Sequence, residues 1–369
     1  MTARWGLAAL LLIALAGCGP AAEETAQPGQ PATPLLVGYY APRGGATPFH
    51  VEDLERSGAP GRLTHLLYAF GTVRGGRCTN GALATDEAEF SKLRELKQRH
   101  PDLKLLWSFG GWNDSSGFSA AAADPAAFAG SCRTLLDDPR WAGLFDGIDI
   151  DWEYPNACGA TCDTSGPRAL AGLTAALRAA FGPDRLVTAA VTADAGRNGR
   201  LTKADYPAAA AHLDWLMAMT YDYAGVGDPK GPTAAHSPTA NAEAAVKDLT
   251  TRGVPAAKLL LGVGFYGRGW TGVTQDAPGG RATGPAPGGR GPGAEDYRVL
   301  KAACPPTGTV AGTAYARCGA QWWSYDTPAT LAGKARFARA NGLRGVFCWE
   351  LAGDTADGEL LGALHTALS

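Results

Sequence analysis

Four carboxylates, Asp146, Asp149, Asp151 and Glu153, fall within DGIDIDWEYP, residues 146–155, among neighbours that are mainly β-branched or aromatic. Side chains of a strand alternate between its faces, so Asp149, Asp151 and Glu153 share one face while Ile148, Ile150 and Trp152 take the other. The apolar face is suited to burial against helices and the acidic face to a site. Carboxylates this close cannot all ionise easily, so the set is expected to hold at least one proton in common and to titrate as a unit. A carboxyl kept protonated near neutral pH is a general acid. Two plainer readings compete. The first is a half-exposed strand of an antiparallel sheet, which also alternates polar with apolar residues. The second is a calcium loop, but its template needs Gly at position six and Glu at position twelve, and counting from Asp149 those places hold Tyr154 and Ala160.

The elements that must position these carboxylates recur along the chain. Eight runs rich in Val, Leu, Ile and aromatics read as strands: Leu35 to Tyr40, Leu63 to Phe70, Lys104 to Phe109, Gly147 to Trp152, Leu186 to Thr192, Leu213 to Thr220, Lys258 to Gly264 and Arg344 to Trp349. Most are continuously apolar, as expected of a parallel sheet covered on its outer face. Helical periodicity separates them at Glu87 to Arg99, Pro125 to Leu136, Pro167 to Phe181, Ala242 to Thr251 and Pro328 to Ala340. Pro125, Pro167 and Pro328 follow Asp124, Gly166 and Thr327, the pattern of an N-cap followed by a first-turn proline. Eight β-then-α units predict an α/β fold, a (β/α)8 barrel spanning 35–369, and put Glu153 just past the end of the fourth strand, at the mouth where such barrels keep their catalytic residues. The last interval, from Lys258 to Arg344, is about twice the next longest. Residues 271–325, Gly- and Pro-rich at first and then holding Cys304, Cys318, Trp322 and Trp323, read as a small α+β subdomain inserted after the seventh strand.

On these residues the chain resembles the chitinases of glycoside hydrolase family 18. The fourth-strand signature D-x-x-D-x-D-x-E is met by Asp146, Asp149, Asp151 and Glu153. The S-x-G-G signature appears as Ser108-Phe109-Gly110-Gly111 followed by Trp112, the M-x-Y-D signature as Met219 to Asp222, and YGR as Tyr266 to Arg268, with Trp349 closing the eighth strand. The resemblance implies a (β/α)8 barrel that hydrolyses β-1,4-linked N-acetylglucosamine with retention, the substrate's own acetamido oxygen acting as nucleophile. It implies Glu153 as general acid and then base, Asp151 holding the acetamido N–H, Asp149 below it, and Tyr221 steadying the acetamido oxygen, with Tyr39 and Ser108 supporting the aspartates. Trp349 is expected beneath the sugar at the cleavage point and Trp112 on the neighbouring product side, while Phe70, Gly111, Met219, Asp222, Tyr266 and Arg268 complete the cleft. Pyranose rings present apolar C–H faces to flat side chains, which fits these aromatics, although core packing explains any single one about as well. No cofactor or metal is implied. Rival readings are an endo-β-N-acetylglucosaminidase acting on glycoprotein glycans and a carbohydrate-binding lipoprotein without activity; the presence of an acid as Glu153 argues against the latter.

The remaining features bound location and partners. Arg4, the apolar stretch Trp5 to Ala14 and Leu15-Ala16-Gly17-Cys18 read as an export signal over 1–18 that ends in a lipobox, so the protein is expected to be exported, either anchored through lipid on Cys18 or secreted. Residues 19–34 lack an apolar period and read as a disordered tether. A net charge of −2 with no basic cluster makes nucleic acid an unlikely partner; chitin or chito-oligosaccharides are the partners expected, with the chain acting as a monomer. Eight cysteines in an exported chain favour disulfides over metal. The pairs proposed are Cys158 with Cys162, Cys304 with Cys318 and Cys78 with Cys132, leaving Cys348 in a buried strand; sequence alone does not fix connectivity. The six histidines show no ligand spacing with these cysteines, so structural zinc is not expected.

Overall fold

The computed structural model describes residues 1–2, 33–43, 48–81, 83–225 and 229–369, the side chains of 83–86 aside. The predicted signal, lipobox and tether lie outside the described residues except at their ends, and the folded unit is Pro34–Ser369. Eight parallel strands form its centre: β1 (Leu35–Tyr40), β2 (His65–Arg74), β3 (Lys104–Gly110), β4 (Gly147–Asp151), β5 (Leu186–Thr192), β6 (Trp215–Met219), β7 (Leu259–Gly264) and β8 (Gly345–Trp349). Each pairs with the next, and β1 pairs with both β2 and β8, so the sheet closes into a barrel.

Strand alternation sorts the side chains into two cores. Leu35, Val37, Leu67, Leu106, Met217, Leu260 and Phe347 point inward and fill the barrel floor. Their neighbours Leu36, Leu66, Leu105, Trp107, Ile148, Ile150, Leu216 and Leu261 point outward and are buried beneath the helices. Each large apolar side chain so buried stabilises the fold by roughly 1.5–3 kcal/mol. Near the C-terminal ends of the strands the inward positions turn polar or aromatic, as Ser108, Asp149, Asp151 and Thr188, so the same alternation that builds the core opens a site above it.

The polar residue just before a strand latches it to the preceding one. Asp146, ahead of β4, accepts the Leu105 N–H of β3 at 2.7 Å and the Lys97 ammonium at 2.6 Å. Asp214, ahead of β6, accepts the Val187 N–H of β5 at 2.7 Å and an Arg178 N–H at 2.6 Å. The Thr64 hydroxyl, ahead of β2, accepts the Leu36 N–H of β1 at 3.1 Å. Asp146 thus closes the base of the barrel and lies away from the mouth.

Helices Pro125–Leu136 and Pro328–Ala340 start where their caps place them, with Asp124 and Thr327 accepting the N–H groups of Ala127 and Thr330. The helix expected from Pro167 begins instead at Ala169, because Gly166 adopts a left-handed φ of 95° and the Pro167 carbonyl accepts the Asp205 N–H at 2.7 Å. A short strand, Arg77–Thr79, folds back on β2, and a terminal helix, Glu359–Leu368, the eighth of the β-then-α units, packs on Pro328–Ala340.

After β7 the chain builds a second, antiparallel sheet of six strands over Tyr266–Tyr325, carrying the helix Tyr297–Ala303. It begins earlier than the expected Thr271. Phe265 turns the chain out of the barrel, its N–H bonded to the Trp349 carbonyl at 2.8 Å. The apolar pattern runs on without a break through that turn, which hides the boundary. The disulfides are Cys78–Cys132, Cys158–Cys162 and Cys304–Cys318, and Cys348 is buried and free.

Candidate active site

Asp149 is fully buried inside the barrel, and its supports follow from register. Ser108 and Thr188 stand opposite it on β3 and β5, and their hydroxyls donate to its carboxyl at 2.6 and 2.7 Å. Tyr39 reaches in from β1 to donate a third bond at 2.9 Å. Burial pushes the Asp149 pKa up, and these three donors pull against it.

One step higher, Asp151 stands between Gly110 and Ala190, which leave it room. Its Oδ1 is buried and has no hydrogen-bond partner. Burial, then the charges of Glu153 and Asp149, raise its pKa well above the ordinary carboxylate range. Asp149, with three donors, is the better seat for a negative charge, and Asp151, without them, for a proton.

Glu153 lies past the strand end. Burial lifts its pKa to about 7, against the opposing effects of the neighbouring Tyr154 hydroxyl and of the Arg200 cation; Asp222 adds to the rise. The backbone here is held by Ser115, whose Oγ accepts the Glu153 N–H at 2.9 Å and lies 2.8 Å from the Gly111 carbonyl. Gly110 and Gly111 have φ of 110° and 82°, and a Cβ on Gly110 would come within 2.2 Å of the Asp151 carbonyl oxygen, so this turn needs glycine. Gly111 lies against the Phe70 ring and is not among the residues that line the cleft.

Above the carboxylates opens a cleft of about 680 Å³. Trp349 and Phe70 form its floor, their rings stacked at 5.5 Å, with Tyr39 edge-on to Trp349 at 5.4 Å. Trp112 stands at the rim, 45% exposed, edge-on to Tyr154 at 6.5 Å. Across the cleft, Tyr221 packs edge-on against Tyr266 at 6.2 Å beside Met219. Asp222 takes a positive φ of 61°, a conformation Asp tolerates better than most residues, and so meets Arg268 through two bonds of 2.7 and 2.5 Å. Burial would raise its pKa, but the Arg268 hydrogen bonds and charge outweigh that and hold Asp222 far below the usual range, as a fixed ion pair. The peptide bonds Ala69–Phe70, Glu153–Tyr154 and Trp349–Glu350 around the cleft are cis.

Of the residues picked from sequence, Glu153, Asp151, Tyr221, Trp349, Trp112, Tyr39, Phe70, Met219, Asp222, Tyr266 and Arg268 line the cleft, and Asp149 and Ser108 lie directly below it. Sequence reading missed Tyr154, Thr188, Ser115, Asp194, Arg200 and Arg290. Thr188 was within reach, since it follows once β5 is registered against β4; the others sit on loops whose paths no local pattern fixes. The arrangement offers a carboxyl of raised pKa above a buried carboxyl pair with one unpartnered oxygen, flanked by a phenol and a flat aromatic floor. It can protonate a leaving oxygen while holding an amide beside it.

Residues 35–354 match the family described as Glycosyl hydrolases family 18. The chain is 51% identical to Chitinase C of Streptomyces lividans over 344 residues, covering 84% of this chain and 56% of that protein. It is 49% identical to Chitinase 63 of Streptomyces plicatus over 375 residues, covering 92% and 61%. It therefore spans little more than half the length of these relatives. Among solved structures, the catalytic domain of psychrophilic chitinase B from Arthrobacter TAD20 superposes with a TM-score of 0.82 at 28% identity, covering 91% of this chain and 95% of that one. The Ostrinia furnacalis Group IV chitinase in complex with allosamidin gives 0.80 at 26%, covering 91% and 98%.

Proposed function

The chain belongs to glycosyl hydrolase family 18, and from that premise we propose that it is a chitinase, cleaving β-1,4-linked N-acetylglucosamine polymers by substrate-assisted hydrolysis with retention. The observation that carries this reading is the column Asp149–Asp151–Glu153, its top member lining the cleft and its middle member presenting an unpartnered buried oxygen beside it.

The sugar at the cleavage point rests on Trp349. Its acetamido N–H donates to the free Oδ1 of Asp151, and the Tyr221 hydroxyl donates to the acetamido oxygen, holding that oxygen toward C1. Glu153 gives its proton to the glycosidic oxygen as the C1–O bond breaks and the acetamido oxygen bonds to C1. Positive charge spreads over the resulting ring, and this cation reverses the resting preference: Asp151 passes its proton down toward Asp149 and, ionised, stabilises the ring. Glu153, now a carboxylate, takes a proton from water as the water attacks C1 and the bond from C1 to the acetamido oxygen breaks; Asp151 regains its proton, and the two inversions give retention. Asp222 takes no nucleophilic part, because Arg268 holds it. Removing an acid of this kind costs ~10²–10⁴ in rate.

Hydrolysis of N-acetyl-chitohexaose followed by proton NMR tests the reading: the β anomer is expected as the first new reducing end, and an α anomer formed first would overturn it. A glycoprotein glycan cleaved in place of chito-oligosaccharide would favour the endo-β-N-acetylglucosaminidase reading. We further propose export, supported by three disulfides, which persist in oxidising compartments, with a lipid on Cys18 and a monomeric chain. Mass spectrometry of the mature N-terminus and sedimentation test the last two points.

A further inference from the structure

Arg200 lines the cleft next to the acid, yet no step above employs it. It lies on the loop after β5 and bridges to the loop after β4. Its Nε donates to the Cys158 carbonyl at 3.0 Å, on the loop that the Cys158–Cys162 disulfide closes. Its guanidinium lies over the Tyr154 ring, 4.9 Å from the centroid. Asp194 anchors the other side, accepting the Arg200 backbone N–H at 3.2 Å and a guanidinium N–H at 3.3 Å. A second tie runs parallel to this one, from the Asn156 amide to the Lys203 carbonyl at 2.8 Å. Tyr154, so held, sits beside Glu153, whose carboxyl its hydroxyl helps keep ionised, and meets Trp112 edge-on.

We infer that Arg200 is a positioning residue: by clipping the loop after β5 to the disulfide-closed loop after β4, it fixes Tyr154 against Glu153 and so sets both the orientation of the acid and the seat of the sugars departing past Trp112. The inference rests on the chitinase reading and adds to it a determinant outside the signature motifs. Two contributions are separable. The contact with the Tyr154 face is shape and stacking, which a lysine does not reproduce. The charge is shared by any cation. The groups facing Glu153 are Asp151 from β4, Tyr154 from its own loop, Tyr221 and Asp222 from beyond β6, and Arg200. Asp151 and Asp222 disfavour the carboxylate and Arg200 favours it, so losing the cation keeps Glu153 protonated to higher pH.

The test is the pH profile of kcat/KM on N-acetyl-chitohexaose for the wild type, Arg200→Gln and Arg200→Lys. In Arg200→Gln the basic limb is expected to move up by ~0.5 pH unit and KM to rise ~5-fold. In Arg200→Lys the limb returns toward the wild-type position while KM stays raised. Equal losses in both variants with an unmoved limb would mean a purely structural role and overturn the inference, as would two variants indistinguishable from the wild type. A wild type inert on the hexamer would instead bring down the chitinase reading itself.

Discussion

At the scale of single residues, three carboxyls of one strand face are told apart by their neighbours. Asp149 has three hydroxyl donors, Asp151 has none, and Glu153 has a neighbouring phenol and the Arg200 cation. The pH dependence follows with a definite sign. As the proposed general acid, Glu153 would act in its protonated form, and burial raises its pKa to about 7, so kcat/KM should fall as pH rises through about 7, which a rate profile on a chito-oligosaccharide checks. A profile flat to pH 9 would contradict the assignment. For Asp151→Asn the amide keeps the shape but cannot take up the negative charge, so kcat should drop ~10²–10³-fold with KM changed little. Steady-state kinetics separates that from a binding defect, which would appear in KM instead.

At the scale of elements, the barrel shows why one acidic motif holds two kinds of aspartate. Asp146 belongs to the same sequence signature as Asp149 but sits at the opposite end of the strand, where it latches β4 to β3. Asp146→Ala leaves the Leu105 N–H without its acceptor, and unfolding by denaturant should show a loss of ~1–3 kcal/mol with kcat retained. An inactive but fully stable variant would contradict this division. The strands and the carboxylate face were legible because period-2 alternation and the apolar runs are local properties. Pro125–Leu136 and Pro328–Ala340 were legible because their caps are. Gly166–Pro167 misled because the Pro167 carbonyl is claimed by Asp205, a partner far along the chain. The hairpin strand Arg77–Thr79 is too short to carry a pattern, and the insertion's first strand hides behind an unbroken apolar run from β7. Arg200, Arg290 and Ser115 escaped for one shared reason: their roles depend on where loops cross.

At the scale of the molecule, the closed barrel and the antiparallel sheet after β7 share a wall of the cleft, since Tyr266, Arg268 and Arg290 come from the insertion while the carboxylates come from the barrel. The insertion is held down by ion pairs: Arg290 meets Asp296 at 3.0 Å and Glu350, just past β8, at 2.7 Å, and Arg43, beyond β1, joins both carboxylates. Cys348 is enclosed in β8, and burial pushes its thiol well above the ordinary range. A thiol reagent should therefore leave it untouched in the native protein and modify it after unfolding; rapid native labelling would mean that the barrel wall opens. The central claim concerns the acid, and the most direct measurement is the Glu153→Gln variant, assayed in parallel for hydrolysis of N-acetyl-chitohexaose and for its binding by calorimetry. Turnover should fall by ~10² or more while affinity stays within a few-fold of the wild type. Turnover near the wild-type rate would contradict the claim.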